Sequence, residues 1–203
     1  QPHNFPRGGV KDIELHWGLL KRGAEVAGMS AMSALAQGLR GAIIARPGKA
    51  LYVADYAQIE ARVLAWLAGD TALLEDFRHG IEPYLGMASA IYGYPCNKRD
   101  HPSERQVGKV AILGLGYQMG YKRFVDAVWT MGQVRIGPEL AIKAVDLYRE
   151  QRWRIVQLWG NMQDAAIQAT NGFRWVGCGK VSWFREGRFL YCELPSGRRI
   201  AYP

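Results

Sequence analysis

The sequence predicts an α+β fold, with helices through the middle of a 203-residue chain and strands near its end. Two observations carry this. Apolar residues recur at helical spacing over most of 12–172, interrupted by one short strand-like run at 51–54. From Phe173 onward the character changes to β-formers: Trp175, Val176, Val181, Trp183, Phe184, Phe189, Leu190, Tyr191, Ile200 and Tyr202. Few strands, then many helices, then strands again is an α+β order rather than an alternating βαβ one.

The elements follow in order. Residues 1–10 are rich in Pro and Gly and read as an extended lead-in. Residues 12–39 carry helical spacing, with Gly28 as a break between two helices. An apolar run at 42–45 and a turn at Arg46-Pro47-Gly48-Lys49 precede the buried strand expected at 51–54. Ile59, Val63 and Leu67, spaced i, i+4, i+8, predict the buried stripe of a helix that stops near Gly69-Asp70. Short helices are expected at 72–77 and 84–92, then a loop over 93–102 with Ser103 as N-cap of the next helix. That helix is expected over 105–120 despite three glycines. Residues 138–172 read as mostly helical, with Leu147, Ile155, Leu158, Met162, Ala166 and Ala169 in the core. Glu186-Gly187 and Pro195-Ser196-Gly197 are turn signals, so the end is a pair of hairpins or a meander.

Composition narrows the class. Hydrophobic residues make up 49% and charged residues 22%, an ordinary globular balance large enough for a real core. The net charge of +8 favours polyanionic partners. The cations are scattered rather than gathered in a tail, which points to a folded groove. Cys96, Cys178 and Cys192 form no metal-type spacing and suit reduced thiols in a cytoplasmic protein. His3, His16, His79 and His101 have no ligand-like spacing either. No apolar run reaches the ~18 residues of a membrane span, and no signal peptide is visible, so no membrane partner is expected. The start at Gln1 suggests a processed or excerpted segment. The seven tryptophans, spread along expected helices and strands, read as core residues.

Two stretches carry chemistry. The first is 51–70, LYVADYAQIEARVLAWLAGD. A strand ending in Asp55 and turning at once into a helix can hold a metal ion, and oxygen ligands suit Mg2+. The carbonyl of Tyr56 is a further ligand candidate. Glu60 lies four residues on, on the same helix face as Tyr56. An Asp-Tyr pair alone reads equally as a strand capped by a solvated carboxylate; the longer string is more specific. The second is 105–120, RQVGKVAILGLGYQMG, which spaces Arg105, Lys109, Leu113 and Tyr117 at i, i+4, i+8, i+12. Two cations, an apolar side chain and an aromatic ring can hold a triphosphate, cover a sugar or base, and stack. The plainer alternative is an amphipathic helix with the cations in solvent and Leu113 and Tyr117 in the core.

Together these strings resemble the DNA polymerase I-type (family A) enzymes. The first resembles their metal-binding motif, and the second has the spacing of their fingers helix. The resemblance implies a partial palm, built on a short antiparallel sheet, with a helical fingers subdomain. It divides the chain into a palm segment at 1–68, fingers at 69–172 and a β-hairpin return at 173–203. It implies catalytic roles for Asp55 and Lys109, and metal ligation by Asp55 and the Tyr56 carbonyl. Gln58, Glu60, Tyr84, Arg105, Lys109, Leu113 and Tyr117 would bind nucleotide, with Glu60 as the gate against a ribose 2′-hydroxyl. Asn4 and Arg62 would meet DNA. The segment 79–93 resembles the family's Asp-Pro-Tyr stretch, which brings Glu82 and Tyr84 near the triphosphate. Template-primer DNA and dNTPs are the implied partners, and two Mg2+ ions the cofactors. The implied activity is template-directed dNTP transfer to a primer 3′ end, in replication or repair.

Three departures stand out. Leu113 occupies a position that is Phe or Tyr in most members, and Leu resembles a phage and prophage subset. Gln118 follows the tyrosine where Gly is usual. No acidic residue after Gly120 has the family's His-Asp-Glu setting. The chain is therefore expected to be inactive alone. It is read either as an excerpt that needs the remainder of a polymerase (thumb and second catalytic carboxylate), or as a non-catalytic nucleotide- or DNA-binding remnant or split subunit.

Overall fold

Asp12 is itself extended, and its carboxylate accepts the Leu15 N–H at 2.9 Å, so the first helix starts there. In the computed structural model, residues 12–22 and 30–203 are described. They fall into two units, Gln1–Asp55 and Tyr56–Pro203. The first unit holds α1 (Ile13–Lys21) and α2 (Ala31–Gly38), the latter capped by the Ser30 hydroxyl. The buried His16 ring donates from Nε2 to the Ala34 carbonyl at 2.7 Å, which ties the two helices together. A 3-10 turn (Leu39–Ala42) ends this pair. The expected lead-in, Asn4 and the break at Gly28 lie outside the described residues.

The buried strand expected at 51–54 does not form. Residues 51–56 are exposed and lie outside any strand; Tyr52 and Val53 are each 95% exposed. An extended run becomes a strand only when a neighbour takes up its N–H and C=O groups. The described sheet consists of later strands alone.

In the second unit α3 (Ile59–Ala68) is present, but its buried face is not the expected one. Ala61 and Ala65 are buried, whereas Ile59 and Val63 are each 43% exposed. Small alanines let α3 approach its neighbours closely, and the i, i+4 spacing identified the helix without identifying which stripe faces inward. Leu67 is partly buried against a second, smaller cluster. Gly69 ends the helix in the left-handed region at φ +66°. Asp70 then caps α4 (Thr71–Arg78), accepting the Leu73 N–H at 3.0 Å.

The main core is helical. It joins α3 and α4 to α5 (Pro83–Tyr92), α6 (Pro102–Gly114), α7 (Tyr121–Gly132), α8 (Pro138–Gln151) and α9 (Trp153–Thr170). Helix α6 starts with Pro102 as its first residue and His101 as N-cap, not with Ser103. Pro suits that position because its missing N–H is not needed there. The helix expected over 105–120 ends early: α-helix stops at Gly114, a 3-10 turn (Leu115–Tyr117) follows, and Gln118 is left-handed at φ +60°. Helix α7 was not anticipated; it buries Phe124, Ala127 and Val128. Of the six core positions expected in α8 and α9, Ile155 and Ala169 are buried and the other four are partly buried against the core clusters.

The C-terminal strands form the expected meander: β1 (Val176–Cys178), β2 (Val181–Glu186), β3 (Phe189–Glu193) and β4 (Arg199–Tyr202), antiparallel in that order. Gly187 and Gly197, at φ +61° and +78°, make the turns. One face, with Cys178, Val181, Trp183 and Cys192, packs on Ala165 and Ala169 of α9. The tryptophans are not core as a set. Trp183 is buried, while Trp66, Trp129, Trp153 and Trp175 are among the exposed large side chains. All three cysteines are free thiols.

Candidate nucleotide site

Helix α3 begins on a left-handed residue, Gln58 at φ +56°. That geometry is costly for a residue with a Cβ. The Gln58 side chain lies near the phenol of Tyr84 on the first turn of α5. Burial pushes the Tyr84 hydroxyl up, Glu82 adds to the shift, and Arg105 opposes it. Arg105, in the first turns of α6, ion-pairs with Glu82 and places its guanidinium 5.7 Å from the Tyr84 ring centre. Its Nε is buried without an acceptor. Helices α5 and α6 meet this closely because Gly108 has no Cβ; one added there would lie 2.1 Å from the Tyr84 carbonyl oxygen.

Glu60 joins the same network. Its charge bears on Tyr84 and on Tyr117, which is 71% exposed. The Tyr117 hydroxyl is pushed up, first by the part of it that is desolvated and then by the nearby Glu60 carboxylate. Glu60, Leu113 and Tyr117 border a cavity of about 760 Å3 whose remaining wall is largely apolar, with Leu158 and Met162 from α9 and Trp183 from β2. Lys109 is half-buried on α6, without an ion-pair partner among the described residues. Arg62 turns back on its own helix start, donating from Nε to the Ala57 carbonyl at 2.9 Å with its guanidinium 4.3 Å from the Phe77 ring centre.

The structure thus connects Gln58, Glu60, Tyr84, Arg105 and Tyr117, with Leu113 on the same cavity wall as Glu60 and Tyr117. Asp55 ends the first unit on this exposed segment, and Tyr56 opens the second, 80% exposed. Among the described residues no group of three or more His, Cys, Asp or Glu is placed to hold a metal ion. The Glu82–Arg105 pairing and the α9 wall were not visible in the sequence. Glu82 could be placed beside Tyr84 by adjacency, but its partner is 23 residues away.

The sequence model of DNA polymerase family A matches residues 26–172. The DNA polymerase of Bacillus phage SP02 is 34% identical over 214 aligned residues, which cover all of this chain and 32% of the phage protein. The thermostable DNA polymerase I of Thermus thermophilus is 39% identical over 89 residues, 44% of this chain and 11% of that protein. DNA polymerase I of Chloroflexus aurantiacus is 37% identical over 79 residues, 39% of the chain and 8% of that enzyme. The chain belongs to DNA polymerase family A. It spans about a third of the length of the phage relative.

Proposed function

We propose that this chain provides the nucleotide-selecting surface of a DNA-directed DNA polymerase acting in replication or repair. Template-primer DNA and dNTPs are its substrates, and the remaining polymerase segments its partners. The observation that supports the reading is the convergence of Arg105, paired with Glu82 and set over Tyr84, with Glu60, Leu113 and Tyr117 on one cavity wall.

In this reading Arg105 and Lys109, one turn apart on α6, hold the triphosphate by charge-assisted hydrogen bonds. Leu113 covers the sugar or base. Glu60 denies space to a 2′-hydroxyl, on the cavity wall that it shares with Tyr117. Arg62 and Asn4 meet DNA. The Asp55 carboxylate and Tyr56 carbonyl are hard oxygen donors and fit Mg2+, which commonly takes one or two carboxylates and completes its shell with water and substrate phosphates. When bound, such ions stabilise charge on the attacking and leaving oxygens. A cytoplasmic location for the parent protein is part of this reading; no described helix is long and apolar enough to cross a membrane.

The test is a titration with a fluorescent dNTP. Lys109→Ala is expected to weaken binding about tenfold, as for loss of one charge-assisted contact. Unchanged affinity would refute the triphosphate role.

A further inference from the structure

The C-terminal sheet has a second face whose chemistry the nucleotide site does not use. The register places Ser182, Phe184 and Glu186 of β2 opposite Glu193, Tyr191 and Phe189 of β3, on the face turned away from Trp183, Cys192 and α9. A solvated face of an antiparallel sheet is ordinarily polar. Here it carries stacked rings. Trp175 lies on Phe184 with centres 4.4 Å apart and planes at 7°, and Phe184 lies on Tyr191 at 5.3 Å and 17°. The Arg199 guanidinium is 4.9 Å from the Phe184 centre. Phe184 is buried by this arrangement, but Trp175 remains 52% exposed.

Charge accompanies the rings. Residues 173–203 hold Arg174, Lys180, Arg185, Arg188, Arg198 and Arg199 against Glu186 and Glu193. That is a net +4 in 31 residues, half of the +8 of the whole chain. Glu193 is paired with Arg199. Arg174, next to Trp175, and Arg198 are exposed and without ion-pair partners among the described residues.

We propose that this outer sheet face binds single-stranded DNA, with a base stacking on the open face of Trp175 and phosphates meeting Arg174 and Arg198. An open aromatic face together with uncommitted cations is the general requirement for sequence-tolerant single-strand binding. Duplex DNA has its bases stacked on one another, so it cannot use the ring.

The experiment is fluorescence anisotropy of the whole chain with a labelled oligothymidylate of about ten nucleotides, the matching abasic oligomer and a duplex. Wild type is expected to bind oligothymidylate about tenfold tighter than the abasic oligomer. Trp175→Leu keeps apolar cover over Phe184 but removes the ring, and is expected to lose most of that difference. Trp175→Phe is expected to restore it. Equal binding of thymidylate and abasic strands by wild type would overturn the proposal and leave a purely electrostatic surface. So would a Trp175→Leu variant that keeps wild-type preference. Self-association of the chain that depends on Trp175, without strand binding, would assign the face to a second copy instead. The wild-type comparison needs no variant to fold. Dye-labelled dNTP titration with Lys109→Ala reads the nucleotide site separately, so either reading can fail without the other.

Discussion

At the scale of single residues, absent or tolerated Cβ atoms explain much of the site. Gly108 is required by contact: an added Cβ would meet the Tyr84 carbonyl oxygen at 2.1 Å and the Ala88 nitrogen at 2.9 Å, both backbone atoms. Gly108→Ala is therefore expected to destabilise the chain by about 2 kcal/mol, the usual scale of overpacking. It is also expected to weaken dNTP binding by displacing Tyr84 from Arg105; urea unfolding and nucleotide titration check the two effects. Gln118 is the opposite case. It holds φ +60° where the family usually has Gly, so the departure seen in the sequence marks a backbone bend that Gln adopts under strain. Tyr94 offers a pH test. Its hydroxyl donates to Glu104 at 2.8 Å, and that hydrogen bond is the main reason its pKa is pushed up to about 12. Glu104 is held below its usual range by its own backbone N–H first and then by Tyr94. A raised folded-state pKa stabilises fully below the unfolded value near 10 and is lost as pH rises towards 12. Wild type should thus lose more stability than Tyr94→Phe between these values, as read by urea midpoints along a pH series.

Between elements, one buried ion pair ties two helix junctions. Asp70, between α3 and α4, and Arg152, between α8 and α9, are 3% and 9% exposed, with 3.7 Å between Asp70 Oδ1 and Arg152 Nη1. Asp76 lies 3.8 Å from the other guanidinium nitrogen. Arg152→Leu would strand the Asp70 charge and is expected to cost about 3 kcal/mol. Asp70→Asn in that background should recover part of the loss, because it removes the charge while retaining a side chain that can cap α4; denaturant unfolding of the single and double variants measures both. The existence of α3, α4, α5, α8 and α9 was legible from apolar spacing and caps. The inward face of α3 was not, because Ile59 and Val63 have the apolarity of core residues while Ala61 and Ala65 supply the close approach. The early end of α6 was legible only in its glycines: Gly114 and Gly116 loosen the turn, and a Cβ at Gly116 would come within 2.8 Å of Leu64.

For the whole molecule, the chain comprises two units with the assigned metal carboxylate, Asp55, at their border in sequence. Of its 18 acidic residues, the family resemblance makes only Asp55 a metal ligand. Phosphoryl transfer through paired ions needs more than one such carboxylate, so primer extension by these 203 residues alone is expected to stay at background. Robust dNTP incorporation would show that another acid completes the site. The sequence by itself indicated the family, the α+β order and the terminal strands, because spacing and turn chemistry are local properties. Only the tertiary structure decided that those strands form one meander and that 51–56 is an exposed segment outside any strand, since strand pairing needs a neighbour distant in sequence. It also decided that Glu82 holds Arg105 over Tyr84 and that the rings of Trp175, Phe184 and Tyr191 align on one sheet face. Those contacts join residues whose separation along the chain carries no periodic signal.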